Sequence, residues 1–168
     1  MLFATAACGG PVAGEASPAG GSGVEVSASP VPSSVAPGGT PRTLDDADPC
    51  GLLTDEEVER ASGPLDGGGV RDDLGTARSC VYRTEGRLLA IDVRTNVGLA
   101  GASTTGPVTD FRVGDHDAKS WVGSDGSCFL VLGVSSSSRV DIALKANLDE
   151  DPCPFARELA ALLEPRLP

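Results

Sequence analysis

The single histidine of this 168-residue chain sits between two acids, as Asp115-His116-Asp117. Imidazole beside carboxylate is the pairing used by general acid–base catalysis and by metal ligation. Consecutive residues point in different directions, however, and Gly-Asp-His-Asp is ordinary turn chemistry, so the run predicts a turn. Asp72-Asp73 and Asp149-Glu150-Asp151 gather carboxylates without the D-x-D-x-D-G…E spacing of a calcium loop. The second set instead places negative charge at a helix N-terminus, where it is favoured. Gly67-Gly68-Gly69 is not followed by the Lys and Ser/Thr of a phosphate loop. Signatures of serine hydrolases, zinc proteases and penicillin-binding enzymes do not occur. These patterns predict no cofactor and no resident metal. A hydrolase or transferase would have to assemble its carboxylates by folding, with Asp115, Asp117 and His116 the first to consider.

Cysteine carries the stronger signal. Cys50, Cys80, Cys128 and Cys153 are too widely spaced for the close C-x₂-C pairs of a zinc site, and an even set fits two disulfides in an oxidising compartment. Such a set allows three connectivities. Cys50 precedes the first expected helix and Cys153 opens the last, while Cys80 and Cys128 lie in expected strands. The expectation is therefore Cys50–Cys153 and Cys80–Cys128. The fifth cysteine, Cys8, ends an apolar run whose Ala6-Ala7-Cys8 resembles the cleavage site of a bacterial lipoprotein signal peptide. Thr5 stands where that pattern usually has Leu, and the charged leader is missing, as if the true start lay upstream. Acylation of Cys8 would anchor the chain to the extracytoplasmic face of the cell membrane.

The net charge of -11 and the absence of any basic run exclude nucleic acid as a partner. The same charge would hold the domain off anionic lipid headgroups. Three regions follow from composition: 1–8, a signal remnant; 9–45, a Gly/Pro/Ser-rich tether unable to bury enough surface to fold; and 46–168, a globular domain.

Within that domain Thr54 and Glu57 form a capping box, and Leu53 and Val58 a hydrophobic staple, for a helix that Gly63-Pro64 stops. A glycine-rich loop spans 66–75. Alternating apolar residues predict a hairpin of 79–84 and 87–95, a short extended piece at 111–113, and a meander of 118–122, 128–134 and 139–144. A last helix follows, capped by Asp151 with Pro152 at its first position, presenting Phe155, Leu159, Leu162 and Leu163. Tyr82 and Trp121 are expected to pack in the core. The fold class is α+β: an antiparallel sheet of about five strands flanked by an N-terminal and a C-terminal helix.

The residues Asp48-Pro49-Cys50-Gly51-Leu52-Leu53-Thr54, then Ser79-Cys80-Val81-Tyr82, Cys128 and Pro152-Cys153 before a Leu-rich terminal helix resemble a family of small actinobacterial secreted lipoproteins. That family is a domain of unknown function with a D-P-C-x-L-L-T opening, and the resemblance covers about residues 46–168. It implies an outer-surface lipoprotein and transfers no catalytic residue. The function expected is a non-catalytic binding or accessory module for an envelope protein, lipid or small ligand. The alternative is an envelope hydrolase or transferase using fold-assembled carboxylates.

Overall fold

The computed structural model describes residues 43–147 and 149–168; Cys8, the signal remnant and nearly all of the tether lie outside the described residues. Helix α1 (Asp55–Ser62) begins with the expected reciprocal cap. The Glu57 N–H donates to Thr54 Oγ1 at 3.3 Å, and the Thr54 N–H donates to Glu57 Oε2 at 2.9 Å. Helix α2 (Cys153–Leu163) starts one residue later than expected, because Pro152 takes the cap position itself. Asp151 still contributes, accepting the Cys153 N–H at 3.0 Å. The buried stripe of α2 is Ala156, Leu159, Ala160 and Leu163, an i, i+3, i+4, i+7 pattern, while Phe155 and Leu162 are only half-buried. None of the described helices is long and apolar enough to cross a membrane.

The sheet has seven antiparallel strands instead of about five, and the domain is mostly β. They are β1 (Val70–Arg71), β2 (Arg78–Thr84), β3 (Arg87–Arg94), β4 (Thr109–Val113), β5 (His116–Val122), β6 (Cys128–Gly133) and β7 (Arg139–Lys145), in the order β1-β2-β3-β7-β6-β5-β4. The added strand, β1, forms inside the glycine-rich loop by pairing Val70 and Arg71 with Val81 and Cys80. The short extended piece at 111–113 grows into β4, a full partner of β5. One sheet face carries Cys80, Tyr82, Leu89, Ile91, Leu130, Ile142 and Leu144 against the helices. The core also takes in Leu44, ahead of residue 46. Tyr82 is fully buried, its hydroxyl donating to the Leu53 carbonyl at 3.3 Å. Trp121 is also buried, but on the opposite face, stacked on Phe129 with ring centroids 5.3 Å apart.

Both disulfides exist, with a different pairing from the expected one: Cys50–Cys80 and Cys128–Cys153. Strands β3 and β7 lie between β2 and β6, so Cys80 and Cys128 are three strand spacings apart, about 14 Å, beyond the reach of a disulfide. Cys50 instead sits in a single 3₁₀ turn (Pro49–Gly51) packed on β2, and α2 packs across β6 so that its first residue meets Cys128. A long-range ion pair completes the clamp on the helices. Past α2, Arg166 donates to Glu57 at 2.6 and 2.8 Å and to the Leu52 carbonyl at 2.6 Å.

Two predictions follow from these links. Non-reducing peptide mapping will recover Cys50 joined to Cys80 and Cys128 joined to Cys153. Replacing both cysteines of either pair with serine will cost about 3–4 kcal/mol in urea unfolding, from the loop each bond closes. The Arg166 guanidinium holds the Glu57 carboxyl down from 4.5 to about 2. A carboxyl depressed by folding stabilises the fold fully above its unfolded value, so this contribution is complete above pH 4.5 and is lost as pH falls toward 2. Arg166→Met will flatten that acid limb and cost about 2–3 kcal/mol at neutral pH.

Candidate functional site

The Asp115-His116-Asp117 run does form a turn. Gly114 and Asp115 join β4 to β5, with Gly114 at φ +53°. What the run alone could not reveal is the partner of its imidazole. His116 Nδ1 lies 3.0 Å from Glu164 Oε1, 48 residues on, and the Asp115 N–H donates to the same oxygen at 3.0 Å. Glu164 is thereby held in its charged form below the usual carboxylate range, first by the Asp115 N–H and then by His116. A side chain at position 114 would overlap that carboxylate, so glycine is required there for space as well as for φ. His116 and Asp117 border a hollow of about 340 Å³ with Leu99, Gly133 and Ser135. An imidazole oriented by a carboxylate is a general-base arrangement in principle. Here Asp115 and Asp117 line the same hollow but are exposed and make no hydrogen bond to the ring among the described residues, and the Ser135 hydroxyl is bonded to Ser138 at 2.7 Å.

The other acidic runs are absorbed by local structure. Asp73 accepts the Ser79 N–H at 3.1 Å, Asp151 caps α2, and Glu150 accepts from Arg87. The Gly67–Gly69 stretch folds back on α1, with the Gly69 N–H on Asp55 at 3.2 Å. Among the described residues no three His, Cys, Asp or Glu side chains gather to hold a metal ion.

A second concavity, about 460 Å³, opens at the other end of the sheet and was not signalled by any motif. It is lined by Asp66, Arg83, Arg87, Leu88, Lys145 and Asn147 among others. Sheet register builds it: Arg83 of β2 pairs with Leu88 of β3, which pairs with Lys145 of β7. The hairpin turn passes through Gly86 at φ +84°, where the Asn147 amide packs directly on the backbone. Arg87 is occupied, donating to Glu150 and to the Ser62 carbonyl and stacking over Phe155 at 4.1 Å. Lys145 is more than half exposed and lies 3.8 Å from Asp125, a loose contact. Arg83 is exposed and, among the described residues, meets no carboxylate, carbonyl or ring. Every other described cation does.

The outer sheet face holds a third polar group. Asp92 and Asp141 pair across β3 and β7; Arg94 spans both, its Nε 2.9 Å from Asp141, and Arg139 Nε lies 2.7 Å from Asp141. Burial pushes the Asp92 carboxyl above its ordinary range, and its Oδ1 has no partner among the described residues. No concavity opens over this cluster among those described.

A family model described as Protein of unknown function (DUF3558) matches residues 3–166, and the chain belongs to that family. No curated protein and no solved structure matches it.

Because Glu164 is charged, His116 must donate from Nδ1, which leaves Nε2 as the acceptor of the neutral ring. Nitrogen-15 shifts will show the Nδ1-protonated form as the dominant neutral tautomer. Glu164→Ala will erase that preference and cost about 1–2 kcal/mol. An unchanged tautomer ratio in the variant would show that the contact does not orient the ring.

Proposed function

Taking membership of that family as the premise, we propose that the protein is a lipid-anchored envelope lipoprotein whose folded domain is a non-catalytic binding module. The observation that carries this reading is the closure of Cys50–Cys80 and Cys128–Cys153, which leaves Cys8 as the unpaired member of the five cysteines. Paired disulfides of this kind belong to chains exported to an oxidising compartment. Cys8 follows two alanines at the end of an apolar run, the setting in which an exported chain is acylated. The resemblance of the D-P-C-x-L-L-T opening to small actinobacterial lipoproteins supports the same assignment. Binding in preference to catalysis is supported by the lining of the larger cleft: an unpartnered Arg83, an apolar floor at Leu88, and no carboxylate–imidazole pair.

Anchoring is testable without knowing the ligand. Expressed from its own locus, the protein will partition into the detergent phase and incorporate labelled fatty acid, and Cys8→Ala will abolish both. Fatty-acid incorporation that survives the substitution would defeat the anchor assignment. For the module itself, the oxidised chain immobilised against envelope extract will retain a saturable partner that a reduced, unfolded copy does not.

A further inference from the structure

On a chain this acidic, an arginine left without a counter-ion in a concavity is the feature that ordinary surface chemistry explains least. Twenty-four acidic residues are present, yet none reaches Arg83 among those described. Lys145, held only loosely by Asp125, stands two strands away on the same face. Two strand spacings put their Cα atoms about 10 Å apart, and both side chains are long enough to converge on one oxyanion over Leu88. A neutral donor flanks that point: the Asn147 amide, which lies on the Gly86 backbone. Against these stand two carboxylates: Asp66, which lines the cleft, and Asp125, 3.8 Å from Lys145. The volume, about 460 Å³, exceeds a bare anion and falls within the usual range for small organic ligands. Leu88, well exposed at 42%, and Ala146 supply an apolar wall for the organic part.

We propose that this cleft binds the phosphate group of an organic phosphate, with Arg83 and Lys145 as its ligating cations. The inference deepens the binding-module reading and rests on it by naming the ligand chemistry of the cleft. Two cations and a neutral amide donor match a doubly charged phosphate monoester better than a singly charged carboxylate. The phosphate could belong to a soluble compound or to a lipid headgroup, and the probes separate these sources.

The test is calorimetric titration of the full, oxidised chain with dihexanoyl phosphatidic acid, with inorganic phosphate, and with phosphatidylcholine vesicles containing phosphatidic acid. Saturable binding is expected, weakened roughly tenfold or more by Arg83→Ala and by Lys145→Ala and reduced by salt. Arg60→Ala, which removes an exposed cation from α1, should leave binding unchanged. Arg83 is exposed, so an unaltered thermal midpoint will show that its loss acts on binding and not on folding. Binding of a soluble probe without binding to vesicles assigns a soluble ligand; binding to vesicles assigns a lipid headgroup. The proposal is overturned if none of the three binds, if both cleft variants bind like the parent, or if Arg60→Ala weakens binding equally. Hexanoate binding as tightly as the phosphatidic acid would overturn the choice of phosphate. A partner captured from envelope extract alongside failed phosphate binding would remove the ligand assignment alone. Failure of both would remove the binding-module reading itself.

Discussion

The ladder between β3 and β7 joins a hairpin half, β1 to β3, to a meander half, β4 to β7. It runs unbroken from Leu88↔Lys145 to Arg94↔Arg139. Strand β7 is the last strand in sequence yet lies at the centre of the sheet, with β3 on one side and β6 on the other. Leu89, Ile91, Val93, Val140, Ile142 and Leu144 all end up on one face, nearly or fully buried beneath the helices. The same ladder decides what can meet elsewhere. It drives the two strand cysteines apart, so that each must find a cysteine outside the sheet. It also brings Leu88 and Lys145 together at one end to floor the cleft.

The ladder carries an electrostatic cost on its outer face. Asp92 and Asp141 stand directly opposite one another, an arrangement that is destabilising for like charges. Arg139, nearly buried, is committed to Asp141 and to the Gly98 carbonyl at 3.1 Å, while Arg94 spans both acids. Arg139 thereby ties the β3–β4 connection to the sheet, and the 3₁₀ turn Leu99–Gly101 packs on β5 and β6. The burial that raises the Asp92 carboxyl is thus part of how a long crossover is fixed. This accounts for a perturbed acid with no concavity over it, and separates it from the two sites that do face solvent.

How much of this was legible depended on the range of the interaction. The Thr54–Glu57 box and the alternation in β3 and β7 arise within a few residues, and the sequence states them directly. Glu164 on His116 and Arg166 on Glu57 are joined across 48 and 109 residues, by the packing of the C-terminal segment. No local pattern encodes such contacts. The disulfide pairing failed for the same reason: assigning Cys80 and Cys128 to strands was sound, but which strands are neighbours is a property of topology. Arg83 and Lys145 likewise reveal nothing individually. Their meaning comes from register, which places them either side of Leu88 on the same face.

The two solvent-facing sites occupy opposite ends of the sheet, and the chain enters at only one of them. Thr43 and Leu44 lie with Thr95, Val134 and Ser135, beside the end that carries the His116 hollow. Arg78 fastens that entry by donating to the Leu44 and Ala47 carbonyls, both at 2.7 Å. The Arg83 cleft lies at the far end of β3, whose eight residues span roughly 25 Å. A chain anchored ahead of Thr43 therefore presents this cleft at the end of the domain remote from its point of attachment. Under the proposed anchor the net negative charge favours the same orientation, since it is repelled by anionic headgroups while Arg83, the one described cation without a partner, lies at the distal end.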